Sequence, residues 1–311
     1  MATETTNTLS TEAKQFYETI LLARAQPNLI HAQGAQMRPL PPNRGKSAEW
    51  RRYGVLSAAT TALTEGTAPS DTQMTITTVT ASLQQYGAYH QYSDVLEMLA
   101  IDPYLAEVAE IFGDQAGLTV DTLVRNAITA GTTVRYVSGL GSRGAVTSSD
   151  IINSTEIRMA VRDLKVQNAR PWKRNSYGAF VHPDTKYDMF SDANIVNAFE
   201  RAYPRGADNP SVNGEIGEYA GVIFMESSQA RVFTSLGATG VDVYGTVFFG
   251  ADAYGIVELE GGSLEVIVHP PGSAGAAVPL DQYGTIGWKM LFDVVRLNEN
   301  WLYRLEHGAT P

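Results

Sequence analysis

The residues that first invite a chemical reading are Gly139-Leu140-Gly141-Ser142-Arg143-Gly144. Glycines at this spacing let a backbone approach a pyrophosphate when they join a strand to the start of a helix. A strand candidate, Thr132 to Ser138, precedes them, but no helix opens after Gly144, and the acid nearest the expected offset, Asp163, falls on the next helix. The six residues are therefore expected to form a flexible surface loop. The histidines, His31, His90, His182, His269 and His307, are dispersed, and none has a second His or a carboxylate at the spacing of a helical metal site. Ordinary hydrogen-bonding roles are expected for them. Glu258 and Glu260 share a strand face and, with Glu265, are the carboxylates a monomeric α+β enzyme would have to use, yet nothing marks an acid/base couple. There is no Gly-x-Ser-x-Gly elbow, no Gly-x-x-x-x-Gly-Lys loop and no Cys nucleophile. No catalytic residue, cofactor or metal is expected.

Charge is the more informative chemistry. The net charge of -10 argues against a protein built to grip nucleic acid, because phosphate binding rests on Lys and Arg. From Arg38 to Arg52 the chain carries Arg38, Arg44, Lys46, Arg51 and Arg52 against Glu49 alone, and reads as a Pro-rich basic connector. The next 72 residues, Tyr53 to Val124, hold nine acids, Glu65 and Asp71 among them, and no Lys or Arg. A second basic face follows, with Arg158 and Arg162 on a helix and Arg170, Lys173 and Arg174 beyond it. Arg outnumbers Lys 17 to 6, which suits oriented pairing across an interface. Arg38, Arg44, Arg51, Arg52, Glu65, Asp71, Arg158 and Arg162 are thus the candidate subunit-interface residues.

The elements that must position these charges are legible in outline. A polar, Thr-rich start leads to a helix candidate, Glu12 to Ala25; with no core of its own, this N-terminal arm is expected to lie against a partner subunit. No propeptide removed ahead of Met1 is expected. Met1 to Thr6 lacks a signal-peptide pattern and no long apolar run occurs, so a soluble, non-secreted chain is expected; the absence of Cys suits a reducing cytoplasm. The turn formers Glu65 to Asp71 separate two Thr-, Val- and Ala-rich arms, predicting a long hairpin whose second arm is Gln73 to Tyr92. Arms of about 18 residues would reach roughly 60 Å and bury little of their own. Asp102-Pro103 announces a long helix to about Thr129, with Gly113 and Gly117 as a soft point inside it. Asn153, with Glu156 three residues later, predicts a capping box. Beyond Asn175, short strands (Gly178 to His182, Ala220 to Glu226, Val243 to Phe249), a helical piece (Asp184 to Ala202) and returning strands (Ser263 to His269, Gly284 to Leu297, Trp301 to Leu305) give an α+β texture.

This order resembles the major capsid protein of tailed bacteriophages, with its Hong Kong 97 type fold. Leu63-Thr64-Glu65-Gly66 before a Pro, Tyr177-Gly178-Ala179-Phe180-Val181-His182-Pro183, and Tyr283-Gly284-Thr285-Ile286-Gly287-Trp288-Lys289 with Leu297-Asn298-Glu299 resemble the branch named for coliphage N4. The resemblance implies an N-terminal arm and connector (1–52), an extended loop draped over the adjacent subunit (53–99), a peripheral domain with a spine helix (100–175 and 263–311) and an axial domain (176–262). It implies self-assembly into hexamers and pentamers of an icosahedral shell around double-stranded DNA, in a host bacterial cytoplasm, with scaffold, portal and decoration proteins as further partners. Some relatives crosslink the shell from a Lys in the draped loop; this loop holds none. A nanocompartment shell of the same fold, enclosing protein cargo, is the alternative, and the monomeric enzyme a third.

Overall fold

The computed structural model describes residues 19–21, 29–43, 45–63, 65–66, 68, 70–99, 104–200, 214–260, 264–272, 280 and 282–310. Most of the helix expected from Glu12 to Ala25, Arg44, Asp102-Pro103 and the Pro/Gly/Ala loop 273–279 lie outside them.

Two sheets organise the chain. The strands are β1 (Gln36–Leu40), β2 (Ser47–Tyr53), β3 (Ile76–Ser82), β4 (Gln84–Ser93), β5 (Val134–Tyr136), β6 (Tyr177–Val181), β7 (Glu215–Tyr219), β8 (Val222–Glu226), β9 (Arg231–Phe233), β10 (Val243–Phe249), β11 (Tyr254–Leu259), β12 (Glu265–His269), β13 (Tyr283–Arg296) and β14 (Leu302–His307). The helices are α1 (Asp94–Leu99), α2 (Tyr104–Thr129), α3 (Ser154–Val166), α4 (Pro183–Met189) and α5 (Ala193–Glu200). One sheet runs β1-β11-β13-β12 with β4 on β13; the other runs β5-β14-β10-β6-β8-β7 with β9 on β10; β2 and β3 pair only with each other. Sheet membership crosses the boundaries expected at 176 and 263, since β11 lies beside β13 while β14 lies beside β10.

The long helix is present as α2, 26 residues and about 39 Å at 1.5 Å per residue. Val108, Phe112, Ala116, Val124 and Ile128 bury one face of it, sharing a core with Ile286, Trp288, Met290 and Phe292, the alternate residues of β13. Trp288 Nε1 donates to Gln115 Oε1 at 2.9 Å and ties the helix to the sheet. Gly113 and Gly117 are buried in the unbroken helix. With Ala109 and Asp121 they make one i, i+4 row, and at the Asp121 end sits the turn His31–Gly34. His31 N and Nδ1 meet the two Asp121 carboxylate oxygens at 2.8 and 2.7 Å, both residues buried. All four residues of this row are buried.

The same core reaches the second sheet through Phe180 and Phe249, stacked with ring centroids 4.8 Å apart. Gly34 and Gly178 leave the space that the Phe249 ring fills; a Cβ on either would collide with it. At α3, Asn153 caps as expected, its side chain accepting from Thr155 N and Glu156 N. Glu156 does not close the predicted box. Its Oε1 instead accepts from Ser138 N at 3.1 Å, because the chain before the helix folds back within reach. The helical piece from Asp184 divides into α4 and α5 at Phe190 to Asp192.

The hairpin differs from its predicted form. Its arms are β2 and β3, paired over seven residues from Ser47↔Ser82 to Tyr53↔Ile76, about 23 Å long. The first arm begins inside the supposed basic connector, whose other half is β1. The second arm ends at Leu83, where the chain enters the main sheet, and β4 pairs with β13 over ten residues. Its Gln, Thr and Ser content looked unfit for a core, but an antiparallel strand solvated on one face needs only alternate apolar positions. Tyr86, Ala88 and Tyr92 supply them.

Candidate subunit-assembly surface

The base of the hairpin is anchored on its own subunit and its end is not. Ala48, Ala81 and Leu83 bury a small cluster with Val257, and Ser82 N donates to Asp293 Oδ2 at 2.7 Å. Beyond Tyr53 and Ile76, residues 54–75 form no strand or helix where described, and nearly all of those described are exposed. Apolar side chains are among them: Val55 is 99% exposed, Leu63 77%, and Leu56 and Met74 are also open to solvent. Large apolar groups gathered on one protruding segment mark an interaction surface, whereas scattered ones do not. The sequence signal for these residues was weak, because Val55, Leu56, Leu63 and Met74 follow neither a helical nor an alternating repeat.

The candidate charges fall into two sets. Arg38 lies over the Trp50 ring, 5.6 Å from its centroid, and donates to the Glu49 carbonyl. Arg51 meets Glu49 at 3.5 Å, both exposed. Arg162 pairs with Asp163 at 2.9 Å, and Arg158 bonds back to Ser154 O and Thr155 Oγ1 of its own helix. These four therefore have contacts within the subunit. Arg52, Glu65 and Asp71 are exposed and have no ion-pair partner among the described residues. Arg51 and Arg52 line a cleft of about 470 Å³ with Trp50, Tyr53, Arg170 and Trp301, at the side of the hairpin. The structure does not bring Arg158 and Arg162 to that cleft; they lie on α3.

The glycine-rich run lies at the surface as expected, with Gly139, Gly141, Ser142 and Gly144 exposed, but Arg143 anchors it. Arg143 reaches inward and grips buried Glu306 with two bonds of 2.7 Å, from Nε and Nη2, while its guanidinium covers the Phe233 ring at 3.6 Å. Arg304 adds a third bond to Glu306 at 2.8 Å. The bonds to Glu306 hold the Arg143 guanidinium above its ordinary pKa, and burial pulls that of Arg304 below. No α-helix opens after the run, since Arg143–Ala145 is a single 3-10 turn and α3 begins only at Ser154, so no helix N-terminus is offered to a phosphate. The supposed carboxylate group also disperses. Glu265 pairs with Lys289 at 3.0 Å, Glu258 is half-buried on β11 with its pKa raised by burial, and Glu260 is exposed beyond the strand. Among the described residues no cluster of His, Asp and Glu is placed to hold a metal, and no helix is long and apolar enough to cross a membrane.

A mixed helix-and-sheet subunit, with a spine helix laid on one sheet and a protruding hairpin that its own core cannot cover, defines a shell-building protein. The chain belongs to the phage capsid protein family, whose model matches residues 76–305. The match is to phage capsid proteins at large and does not single out the coliphage N4 branch. No curated protein matches it in sequence. Among solved structures it resembles the capsid of Ralstonia phage GP4, with a TM-score of 0.73 at 11% identity over 89% of this chain and 87% of that one. It also resembles the capsid of cyanophage P-SCSP1u, with a TM-score of 0.67 at 16% identity over 90% and 88%. A virus-like particle from Pyrococcus furiosus shares the fold, with a TM-score of 0.56 at 10% identity over 95% and 100%. The Hong Kong 97 type fold read from sequence stands, and the chain is a major capsid shell subunit.

Proposed function

We propose that this subunit assembles into the hexamers and pentamers of an icosahedral shell enclosing the packaged double-stranded DNA of a tailed phage, and that it performs no catalysis. Residues 53–99 act as the extended loop, with residues 54–75 lying on an adjacent copy. Residues 1–52 serve as arm and connector. Residues 100–175 with 263–311 serve as the peripheral domain and 176–262 as the axial domain, with β11 and β14 crossing between them to join the two sheets. The acidic loop end, with Glu65 and Asp71, meets the basic residues Arg44, Arg51 and Arg52 of a neighbour, and Arg38, Arg158 and Arg162 lie at further subunit contacts. Gly113 and Gly117 let the spine helix adjust when the shell expands. Scaffold, portal and decoration proteins join it during assembly in the bacterial cytoplasm.

The observation that carries this reading is the exposure of Val55, Leu56, Leu63 and Met74 on a segment with no core of its own. Size-exclusion chromatography and negative-stain microscopy of the expressed protein test it. Capsomers or closed particles are expected, and a stable monomer at micromolar concentration would contradict it. The fold shared with a virus-like particle favours one alternative, a nanocompartment shell. DNA in particles purified from infected cells supports the phage shell; protein cargo supports the alternative.

A further inference from the structure

Among the described residues, strand β4 carries a backbone ladder along one edge only. Its ten residues, Gln84–Ser93, ladder with β13 only, and no backbone bond among the described residues reaches the other edge. An open edge is a template for another strand, and proteins that must avoid pairing blunt it with charge, Pro or a bulge. The other edge strands of the two sheets are blunted in this way. β1 carries Arg38 and Pro39, β5 Arg135, β7 Glu215 and Glu218, and β12 Glu265. β4 carries no charge and no Pro, its register with β13 runs without a shift, and most of its residues, Tyr89 included, are exposed. At about 33 Å it is also the longest open edge.

The same chain holds an unpaired segment of matching character. Residues 55–63, Val-Leu-Ser-Ala-Ala-Thr-Thr-Ala-Leu, carry no charge, Pro or Gly, form no ladder and stand exposed. Nine residues of extended chain cover about 30 Å, close to the length of β4. They stand beyond the hairpin end at Tyr53, whereas β4 begins at Gln84 beside the hairpin base, so the two do not meet within one subunit. We propose that residues 55–63 of one copy add as a strand to the free edge of β4 on its neighbour. This rests on the reading of the chain as a self-assembling shell subunit and names the surface that receives the loop. Each subunit then gives one strand and accepts one, a head-to-tail contact that can close into a ring. Main-chain bonds would supply the contact, and the lack of charge on both partners removes the usual penalty of burying it.

The absence of Cys from the chain makes a clean test. Gln91→Cys is combined in turn with a single Cys at each position from Leu56 to Ala62, particles are assembled and oxidised, and intersubunit bands are read on a non-reducing denaturing gel. Side chains alternate faces along a strand, so crosslinking is expected at every second position within a short window. Crosslinking without that alternation, or none in particles that form normally, overturns the strand addition and leaves the shell reading standing. Hydrogen exchange on the unsubstituted protein covers variants that fail to assemble. Amides of 55–63 and of β4 should exchange at least tenfold more slowly in particles than in dispersed subunits, and unchanged rates at both overturn the inference. Failure of the unsubstituted chain to form particles overturns the shell reading itself, and this inference with it.

Discussion

His307 is fully buried, its Nδ1–H donating to the Gly308 carbonyl at 2.6 Å and its Nε2 meeting Thr246 Oγ1 at 2.9 Å. Burial lowers its pKa from 6.5 to about 4, with neighbouring Asp188 and Glu306 opposing the shift. Between those two values the unfolded chain binds a proton that the folded chain refuses. Stability is therefore highest above about pH 6.5 and falls as pH drops through this window, by roughly 3 kcal/mol from this residue, levelling off below about 4. Urea unfolding of dispersed subunits between pH 7 and 4 should show that loss, and His307→Gln should flatten it; an identical slope in the variant would exclude His307 as the source. Packing gives a second expectation at this scale. Gly178→Ala forces a Cβ against the Phe249 ring, at the junction of the two sheets, and should cost about 1–3 kcal/mol in the same assay. A neutral result would mean that the ring can move aside.

At the scale of elements, the α3 cap is a compact test. Asn153→Ala removes the acceptor for Thr155 N and Glu156 N and should destabilise the subunit by about 1 kcal/mol, read from the urea midpoint. This cap was legible because it is local: one side chain and two amides within three residues. The spine helix was legible for a similar reason, its apolar repeat being carried within one segment. Glu156 was misread because its true partner, Ser138 N, lies across a fold-back that no spacing rule reveals. The length of the hairpin was misread on the same ground. Whether Gln84–Ser93 protrudes or joins a sheet depends on β13, some two hundred residues later. Arg143 looked like part of a solvent loop until its distant partner Glu306 was in view.

For the whole molecule, charge segregation and the missing core beneath residues 54–75 were readable early, since both are properties of composition. Which charges already have partners was not: Arg38, Arg51, Arg158 and Arg162 are engaged on their own subunit, while Arg52, Glu65 and Asp71 have no ion-pair partner among the described residues. No Lys lies between Tyr53 and Tyr92, so that stretch has no amine to donate to an isopeptide crosslink. Mature particles boiled in detergent should run as intact monomer on a gel, and a covalent ladder would refute that. The most direct measurement is a cryo-electron microscopy reconstruction of assembled particles in which residues 54–75 can be traced. They should lie across a neighbouring copy, with Val55 and Leu63 covered by it. A trace that folds the segment back onto its own subunit, leaving the neighbour untouched, would contradict the account.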